Sequence, residues 1–298
     1  MRAIVTGGAG FIGSHVVDAL VARGDEVHAL DDLSTGKREN VGAGAVLHEA
    51  DIRDPDSVFD LVRPEAVFHL AAQASVAVSV ERPDLDAEVN VLGTVHVLEA
   101  ARRHGAQIVF SSTGGAIYGE CERPAREDDP RRPLSPYGTS KLAGEEYLAA
   151  WNRLHGTRHV VLRFANVYGP RQDPHGEAGV VAIFLSRVAK DERPVIFGDG
   201  GHVRDYVYVG DVAQAIVAAL GRDGGVFNIG TGRGSTVLEL VEAMRAATGC
   251  PIDPEHAAER LGDLRRSILD ATRAEQELGW RAQTSLEDGL RRTWEEFR

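Results

Sequence analysis

Tyr137 and Lys141 stand one helical turn apart in a segment with helical periodicity, so both side chains project from one face. A phenol titrates near ~10 and is a poor base at neutral pH. A neighbouring ammonium stabilises the phenolate and turns the tyrosine into a usable proton acceptor. The chain has only three lysines, Lys37, Lys141 and Lys190, so the position of each is informative. A third proton-handling group comes from Ser111-Ser112-Thr113, where an apolar run ends. A hydroxyl there can bond a reacting oxygen and relay its proton, and Thr113 is the first choice, with Ser112 second. The bland alternatives are a surface Tyr and Lys at helical spacing and hydroxyls that only cap a strand end. The rest of the chain decides between them.

At the N-terminus, the apolar run Arg2 to Thr6 leads directly into Gly7-Gly8-Ala9-Gly10-Phe11-Ile12-Gly13, and an amphipathic stretch follows. A glycine-rich turn between a strand and a helix lets backbone approach a pyrophosphate. The helix N-terminus then supplies unpaired N–H groups and partial positive charge. Gly7, Gly10, Phe11, Ile12 and Gly13 are therefore candidate dinucleotide ligands. The second strand ends in Leu30-Asp31-Asp32, at the offset where a carboxylate grips the adenosine ribose. A carboxylate accepts hydrogen bonds from a free 2′-hydroxyl and repels a 2′-phosphate, which favours NAD over NADP; Arg38 is the one nearby counter-signal. Ser34, Thr35 and Gly36 continue this candidate set. Asp51 and Ile52 follow the third strand and could hold the adenine edge. Leu70, Ala71, Ala72 and Gln73 follow the fourth and offer small residues where a cofactor must pass. With NAD in the site, its positive nicotinamide ring would add to Lys141 in lowering the Tyr137 pKa, and Ser111 would stand beside it.

These groups need a scaffold that brings strand ends together. Strand patterns at Glu26 to Leu30, Val46 to Ala50, Ala66 to Leu70, Gln107 to Ser111 and His159 to Phe164 alternate with helical patterns. The helical stretches are Phe11 to Ala22, Asp56 to Val62, Leu85 to His104 and Pro136 to His155. This alternation predicts an α/β fold with a doubly wound parallel sheet, whose ligands bind at the carboxyl ends of the strands. After about Asn166 the segments shorten and Gly and Pro multiply. Residues 1–165 thus read as a Rossmann domain carrying the catalytic residues. Residues 166–298 read as a smaller α/β substrate-binding region that interleaves with it. Glu120 to Pro133, rich in charge and Pro, reads as a surface loop and candidate lid.

The 298 residues can bury a sizeable core. A net charge of -12 argues against a nucleic-acid surface, though a few arginines can still hold a small anion. No apolar run is long enough to span a bilayer, and the first residues lack the pattern of a signal peptide. Cys121 and Cys250 match no metal spacing and read as free thiols of a cytoplasmic protein, so no metal site is expected.

The glycine fingerprint, the Tyr137–Lys141 pair and the upstream Ser/Thr together resemble the extended short-chain dehydrogenase/reductase family. Within it, Ala116-Ile117-Tyr118-Gly119, Ser135-Pro136-Tyr137-Gly138 and Asn166-Val167-Tyr168-Gly169-Pro170-Arg171 are similar to the UDP-glucose (UDP-galactose) 4-epimerase group. So are Gly198-Asp199-Gly200, Arg204-Asp205-Tyr206-Val207-Tyr208-Val209 and Gly262-Asp263-Leu264. The likeness runs the length of the chain. It implies an isomerase in which Tyr137 takes the proton of the sugar 4-hydroxyl, NAD takes the C4 hydride, and a 4-keto sugar turns before the hydride returns.

By the same likeness Asn90 lies near the active site, and Phe164 and Asn166 line the pocket. Arg204 and Arg260 would meet the substrate diphosphate, Gly179 and Val180 would open an anion-binding helix, and Val195 to Phe197 would run past the uracil. Asp263 would bond the uridine ribose, and Ser267 would border the sugar's C2 substituent, leaving room for N-acetylated UDP-sugars. A homodimer is expected through the two long helices, with Val89, Leu92, Val95, Leu98, Leu142 and Ala149 as its apolar residues. Rival readings are a nucleotide-sugar 4,6-dehydratase or decarboxylase, or a non-catalytic NAD-binding sensor. Against the dehydratase, Gly114-Gly115 stands where an acid–base pair would follow the active-site Thr. One departure is Gln73-Ala74-Ser75, where many epimerases carry a Lys that helps to hold NAD.

Overall fold

A computed structural model of the protein describes residues 1–175, 179–259 and 264–297. The first half runs β1 (Arg2–Thr6), α1 (Phe11–Ala22), β2 (Glu26–Asp31), β3 (Ala45–Glu49), α2 (Asp56–Val62) and β4 (Ala66–His69). Two short helices follow, α3 (Val76–Glu81) and α4 (Pro83–Ala87), then a π-helical turn (Glu88–Leu92) and α5 (Gly93–His104). β5 (Gln107–Thr113), α6 (Gly114–Ile117), α7 (Pro136–His155) and β6 (Val160–Phe164) complete it. The second half contains β7 (Asn166–Tyr168), α8 (Val180–Ala189), β8 (Val195–Phe197), β9 (Val203–Arg204), β10 (Tyr206–Tyr208) and α9 (Val209–Ala219). It continues through β11 (Gly225–Ile229), β12 (Ser235–Thr236), α10 (Val237–Thr248), β13 (Glu255–Ala257), β14 (Arg266–Ser267) and α11 (Leu286–Trp294).

Seven strands form one parallel sheet in the order β11-β6-β5-β4-β1-β2-β3. Alternate residues of each strand supply two separate cores. Val5 and Phe68 pack with Val16 and Leu20 of α1 and Val212 and Ile216 of α9 on one face. Ile4, Val67 and Ile108 pack with Phe59 of α2, Val97 of α5 and Leu148 of α7 on the other. Covering both faces explains the nearly unbroken apolar strands, and each fully buried Leu or Phe contributes ~1.5–3 kcal/mol. The protein is thus a doubly wound α/β fold. The second half adds small sheets (β10 with β7, β12-β9-β14, and β13 with β8) over a third core of Tyr168, Phe184, Leu240 and Leu290. Its strand β11 returns to the edge of the main sheet beside β6.

The helix expected over Leu85 to His104 forms as part of one continuous helical run from Pro83, with a π-helical turn at Glu88–Leu92 that sets Asn90 inward. Two expectations are corrected. The segment Glu120 to Pro133 is a tied strap and not a free lid: Ala125 is buried and bridges to Leu269, and Arg163 donates to the Glu127 carbonyl at 3.0 Å. Of the residues expected at a dimer face, Leu98 is buried in the core and Leu142 packs toward Ile117, because both turn to the sheet side of their helices. Leu92 of the expected set is exposed, and the other exposed apolar side chains on these elements are Tyr147 and Leu154, with Val76, Val80 and Leu134 on the segments before them.

Candidate functional site

The cradle at the end of β1 is shaped by the absence of side chains. Gly7 has a positive φ of 69°, and a Cβ there would lie 2.7 Å from the Ala71 nitrogen. A Cβ on Gly13 would lie 2.0 Å from the Gly7 carbonyl oxygen. At these two positions only glycine is compatible with the packing of turn on helix and turn on strand. Gly10 caps α1 without any side-chain hydrogen bond, so the first N–H groups of that helix are left for an anion. Phe11 and Ile12 form the helix's half-buried first turn. A dinucleotide's pyrophosphate fits this donor set.

Asp31 stands below the cradle, nearly buried. Its two oxygens accept from Ala9 N and Leu33 N, each at 2.9 Å. Burial pushes its carboxyl above the usual range, with the adjacent Asp32 charge adding to it against those N–H bonds. Asp32 binds Ser34 through its N–H and hydroxyl, and Gly36 closes over Asp31 where a Cβ would meet its Oδ1 at 2.6 Å. Thr35 is exposed in the same loop. Arg38 is engaged by Glu49 at 2.5 Å, which offsets the cation that could have favoured a 2′-phosphate. Asp51 is held by Arg53 at 2.6 Å, and buried Ile52 packs under Gly93.

A buried string of hydrogen bonds, unmarked in the sequence, supports the other wall. Leu70 N and Ala71 N both donate to the Thr6 hydroxyl at 3.2 Å. That hydroxyl must then donate to His69 Nδ1 at 2.7 Å, which leaves the proton of a neutral imidazole on Nε2, 3.0 Å from Thr94 Oγ1. Burial holds the His69 pKa down at about 3, so the ring is a neutral strut at any physiological pH. Thr94 in turn donates to the Asn90 carbonyl. Asn90 and Gln73 pair reciprocally: Gln73 N donates to Asn90 Oδ1 at 2.8 Å, and Asn90 Nδ2 donates to the Gln73 carbonyl at 2.9 Å. Ala72 lies between these fixed points.

At the end of β5, three adjacent hydroxyls take different parts. Ser111 Oγ donates to the His69 carbonyl, and Ser112 Oγ donates to the buried Glu145 at 2.5 Å. Both are committed to the scaffold. Thr113 instead hydrogen-bonds the Tyr137 hydroxyl. Tyr137 lies in the first turn of α7, where Ser135 caps the helix by accepting from Gly138 N and Pro136 opens it. One turn on, the Lys141 ammonium donates to the Ser111 carbonyl at 2.9 Å and sits 4.9 Å from the centre of the Phe110 ring.

Burial raises the Tyr137 pKa to about 12, with the Asp86 carboxylate adding to the rise and Thr113 opposing it. Burial lowers the Lys141 pKa to about 8, against the pull of Asp86 and Glu145. In the protein by itself, therefore, desolvation outweighs the expected help from Lys141 to Tyr137, because the ammonium is directed at a carbonyl.

The second half closes over these strand ends. Asn166 begins β7, two residues after Phe164, whose ring packs into the core. Arg204 of β9 makes its one side-chain hydrogen bond to the Val203 carbonyl and has no carboxylate partner among the described residues. In register beside it stand Ser235 and Ser267, so all three share one face of the small sheet. Gly179 caps α8 without a side-chain hydrogen bond, and the intrahelical bonds begin with Ile183 N donating to its carbonyl. Val195 is half-buried and Phe197 is 37% exposed. Arg260 and Asp263 lie outside the described residues. Sequence reasoning passed over Asp205, which is fully buried and accepts from Thr231, Gly232 and Leu269, and so fixes the strand that carries Ser267.

Residues 3–230 match the model of the NAD-dependent epimerase/dehydratase family. The chain is 49% identical over 309 residues to a UDP-glucose 4-epimerase of Mycolicibacterium smegmatis, covering 100% of this chain and 99% of that one. A solved UDP-glucose 4-epimerase from Thermotoga maritima, with UDP-glucose, is 51% identical; its TM-score is 0.97 and the match covers 100% of this chain and 98% of that one. Another from Thermus thermophilus, in complex with NAD, is also 51% identical, with a TM-score of 0.94 and coverage of 100% and 99%.

Proposed function

The chain belongs to the NAD-dependent epimerase/dehydratase family, and from that premise we propose that it interconverts UDP-glucose and UDP-galactose by reversible oxidation at the sugar C4. The observation that carries this reading is the Tyr137–Thr113 hydroxyl pair at the carboxyl end of β5, on the same edge of the parallel sheet as the glycine cradle that follows β1. NAD, when bound, supplies a hydride acceptor and donor at C4. Gly7, Gly10 and Gly13 would take its pyrophosphate, Asp31 its adenosine ribose, and Lys141 the nicotinamide end. Tyr137 removes the proton from the sugar 4-hydroxyl and returns it after the 4-keto sugar has turned. Thr113 bonds the same oxygen and aligns it. Asn166, Arg204, Arg260 and the α8 N-terminus would hold the diphosphate, fixing the sugar's distance from C4 chemistry.

A 4,6-dehydratase would need an acid and a base directly after Thr113. Gly114 and Gly115 stand there, and neither carries a side chain that can transfer a proton; a Cβ on Gly114 would also lie 2.4 Å from Leu269 Cδ1. A coupled assay with UDP-galactose and UDP-glucose tests the reading directly, and absence of turnover with either sugar overturns it. We infer further that Ser267 leaves room for an N-acetyl group at C2.

Asp31→Ala is expected to weaken NAD binding about 10–100-fold, the size of a lost charge-assisted hydrogen bond of ~1.5–3 kcal/mol, and to narrow the preference over NADP. Titration of both cofactors checks this, and a wild type that binds NADP as tightly as NAD refutes it.

The assembly proposed is a homodimer through α5 and α7, whose outer faces and flanks carry the exposed Leu92, Tyr147, Leu154 and Leu134. Light scattering should give twice the chain mass at micromolar concentration, and Leu92→Glu with Leu154→Glu should give monomers. No helix among the described residues is long and apolar enough to cross a membrane. Two free cysteines suit a reducing compartment, and the cytoplasm is the proposed location.

A further inference from the structure

Charge bookkeeping around Lys141 leaves one carboxylate unexplained. The lysine is 4% exposed, yet no carboxylate among the described residues lies within ion-pair distance of its ammonium. A buried cation without a counter-charge is costly. Two buried carboxylates are near enough to act on it, Glu145 and Asp86. Glu145 is already neutralised: Arg163, also buried, grips both its oxygens at 2.6 to 3.2 Å. Asp86 is 1% exposed and has no cationic partner among the described residues. Its Oδ1 accepts from Gln73 Nε2 and from Asn90 Nδ2, each at 2.9 Å. The two protons of the Asn90 amide go to Asp86 and to the Gln73 carbonyl, and Ser140 Oγ lies 3.2 Å from its nitrogen, so the residue next to Lys141 packs against the group that holds the carboxylate.

We propose that Asp86 is the counter-charge of Lys141 and, through Gln73 and Asn90, the anchor of the loop on which the nicotinamide end of the cofactor rests. It is a positioning residue and does not touch the reacting atoms. The inference rests on reading Tyr137 and Lys141 as the catalytic pair. The Gln73 amide matters to it: a lysine at this position would take Asp86 as its own partner and leave Lys141 uncompensated. The charged and titratable groups around Lys141 are Tyr137 and Glu145 of α7, Asp86 of α4, neutral His69 of β4, and Arg163 of β6, which Glu145 neutralises.

With only three lysines in the chain, isotope labelling of lysine resolves the Lys141 ammonium in a pH titration of the protein without cofactor or substrate. The wild-type midpoint is expected at about 8. Asp86→Asn keeps an oxygen able to accept from both amides and removes the charge. The midpoint should then fall by about one pH unit or more, as loss of a nearby opposite charge requires. The limb of the kcat–pH profile belonging to the Tyr137 base should move to lower pH as well, since Asp86 also raises the phenol pKa. A merely structural role would lower the yield of folded protein and move neither midpoint.

A folded Asp86→Asn protein with an unmoved Lys141 midpoint overturns the proposal. If that variant does not fold, Gln73→Lys places a competing cation beside an intact Asp86. The Lys141 midpoint should again fall, and no change in it would equally refute the proposal. A shifted midpoint in a protein that turns over no UDP-sugar would instead count against the reading of the reaction and leave the counter-charge standing.

Discussion

Tyr137→Phe is expected to lower kcat with UDP-galactose by about 10²–10⁴-fold, the usual contribution of a positioned general acid–base group. Binding of NAD and of UDP-sugar should persist, because the ring and the helix start stay the same. Ser135 still caps α7, and Lys141 still donates to the Ser111 carbonyl. What is lost is the one hydroxyl that can exchange a proton with the sugar oxygen. Thr113 cannot replace it, since an aliphatic hydroxyl is a far weaker acid than a phenol. Ser111 and Ser112 are tied to the His69 carbonyl and to Glu145. Burial holds the phenol up at about 12 in the protein alone, so on the reading of Tyr137 as base the positive nicotinamide ring would lower it when NAD binds. Its pKa should therefore fall on addition of NAD, readable as tyrosinate absorbance at high pH. A variant that keeps most of its turnover would show that another group is the base.

Ser267→Tyr is expected to abolish epimerisation of UDP-N-acetylglucosamine and UDP-N-acetylgalactosamine while changing turnover of the plain sugars only a few-fold. Ser267 is in register with Arg204 on the face of the small sheet assigned to the substrate. The strand cannot swing aside to relieve a larger side chain. Asp205 N donates to the Ser267 carbonyl at 3.0 Å, the buried Asp205 carboxylate holds Leu269, and Glu120 accepts from Arg265 N and Arg266 N at 2.9 Å. A phenol ring there must occupy space that an acetamido group would need, and steric exclusion of this kind is discriminating in one direction only. Competition assays with the four UDP-sugars read the switch. A wild type that uses UDP-galactose and no acetylated sugar would show that a different wall closes the pocket.

The candidate site residues were legible because their signals are local. An i,i+4 Tyr–Lys pair, a glycine run between a strand and a helix, and a carboxylate at the next strand end need only short-range geometry. Apolar runs of strand length alternating with amphipathic helices likewise stated the parallel sheet and the face on which ligands bind.

What only the tertiary structure decided depends on groups far apart in the chain and carries no period. That Thr113 is the hydroxyl of its triplet left to meet Tyr137 follows from where His69 and Glu145 come to lie. The Thr6–His69–Thr94 string joins β1, β4 and α5, and its neutral tautomer follows from two backbone N–H groups that saturate Thr6. The strap over Ala125 looked like a loop by composition and is bound by Arg163 and Asn228. Asp86 reads in sequence as one acidic residue among many on a helix face. In the fold it is buried and accepts from Gln73 and from Asn90, which the π-helical turn carries. Local spacing can therefore name candidate groups, whereas their charge and orientation are set by burial and long-range hydrogen bonds, which exist only once the chain has folded.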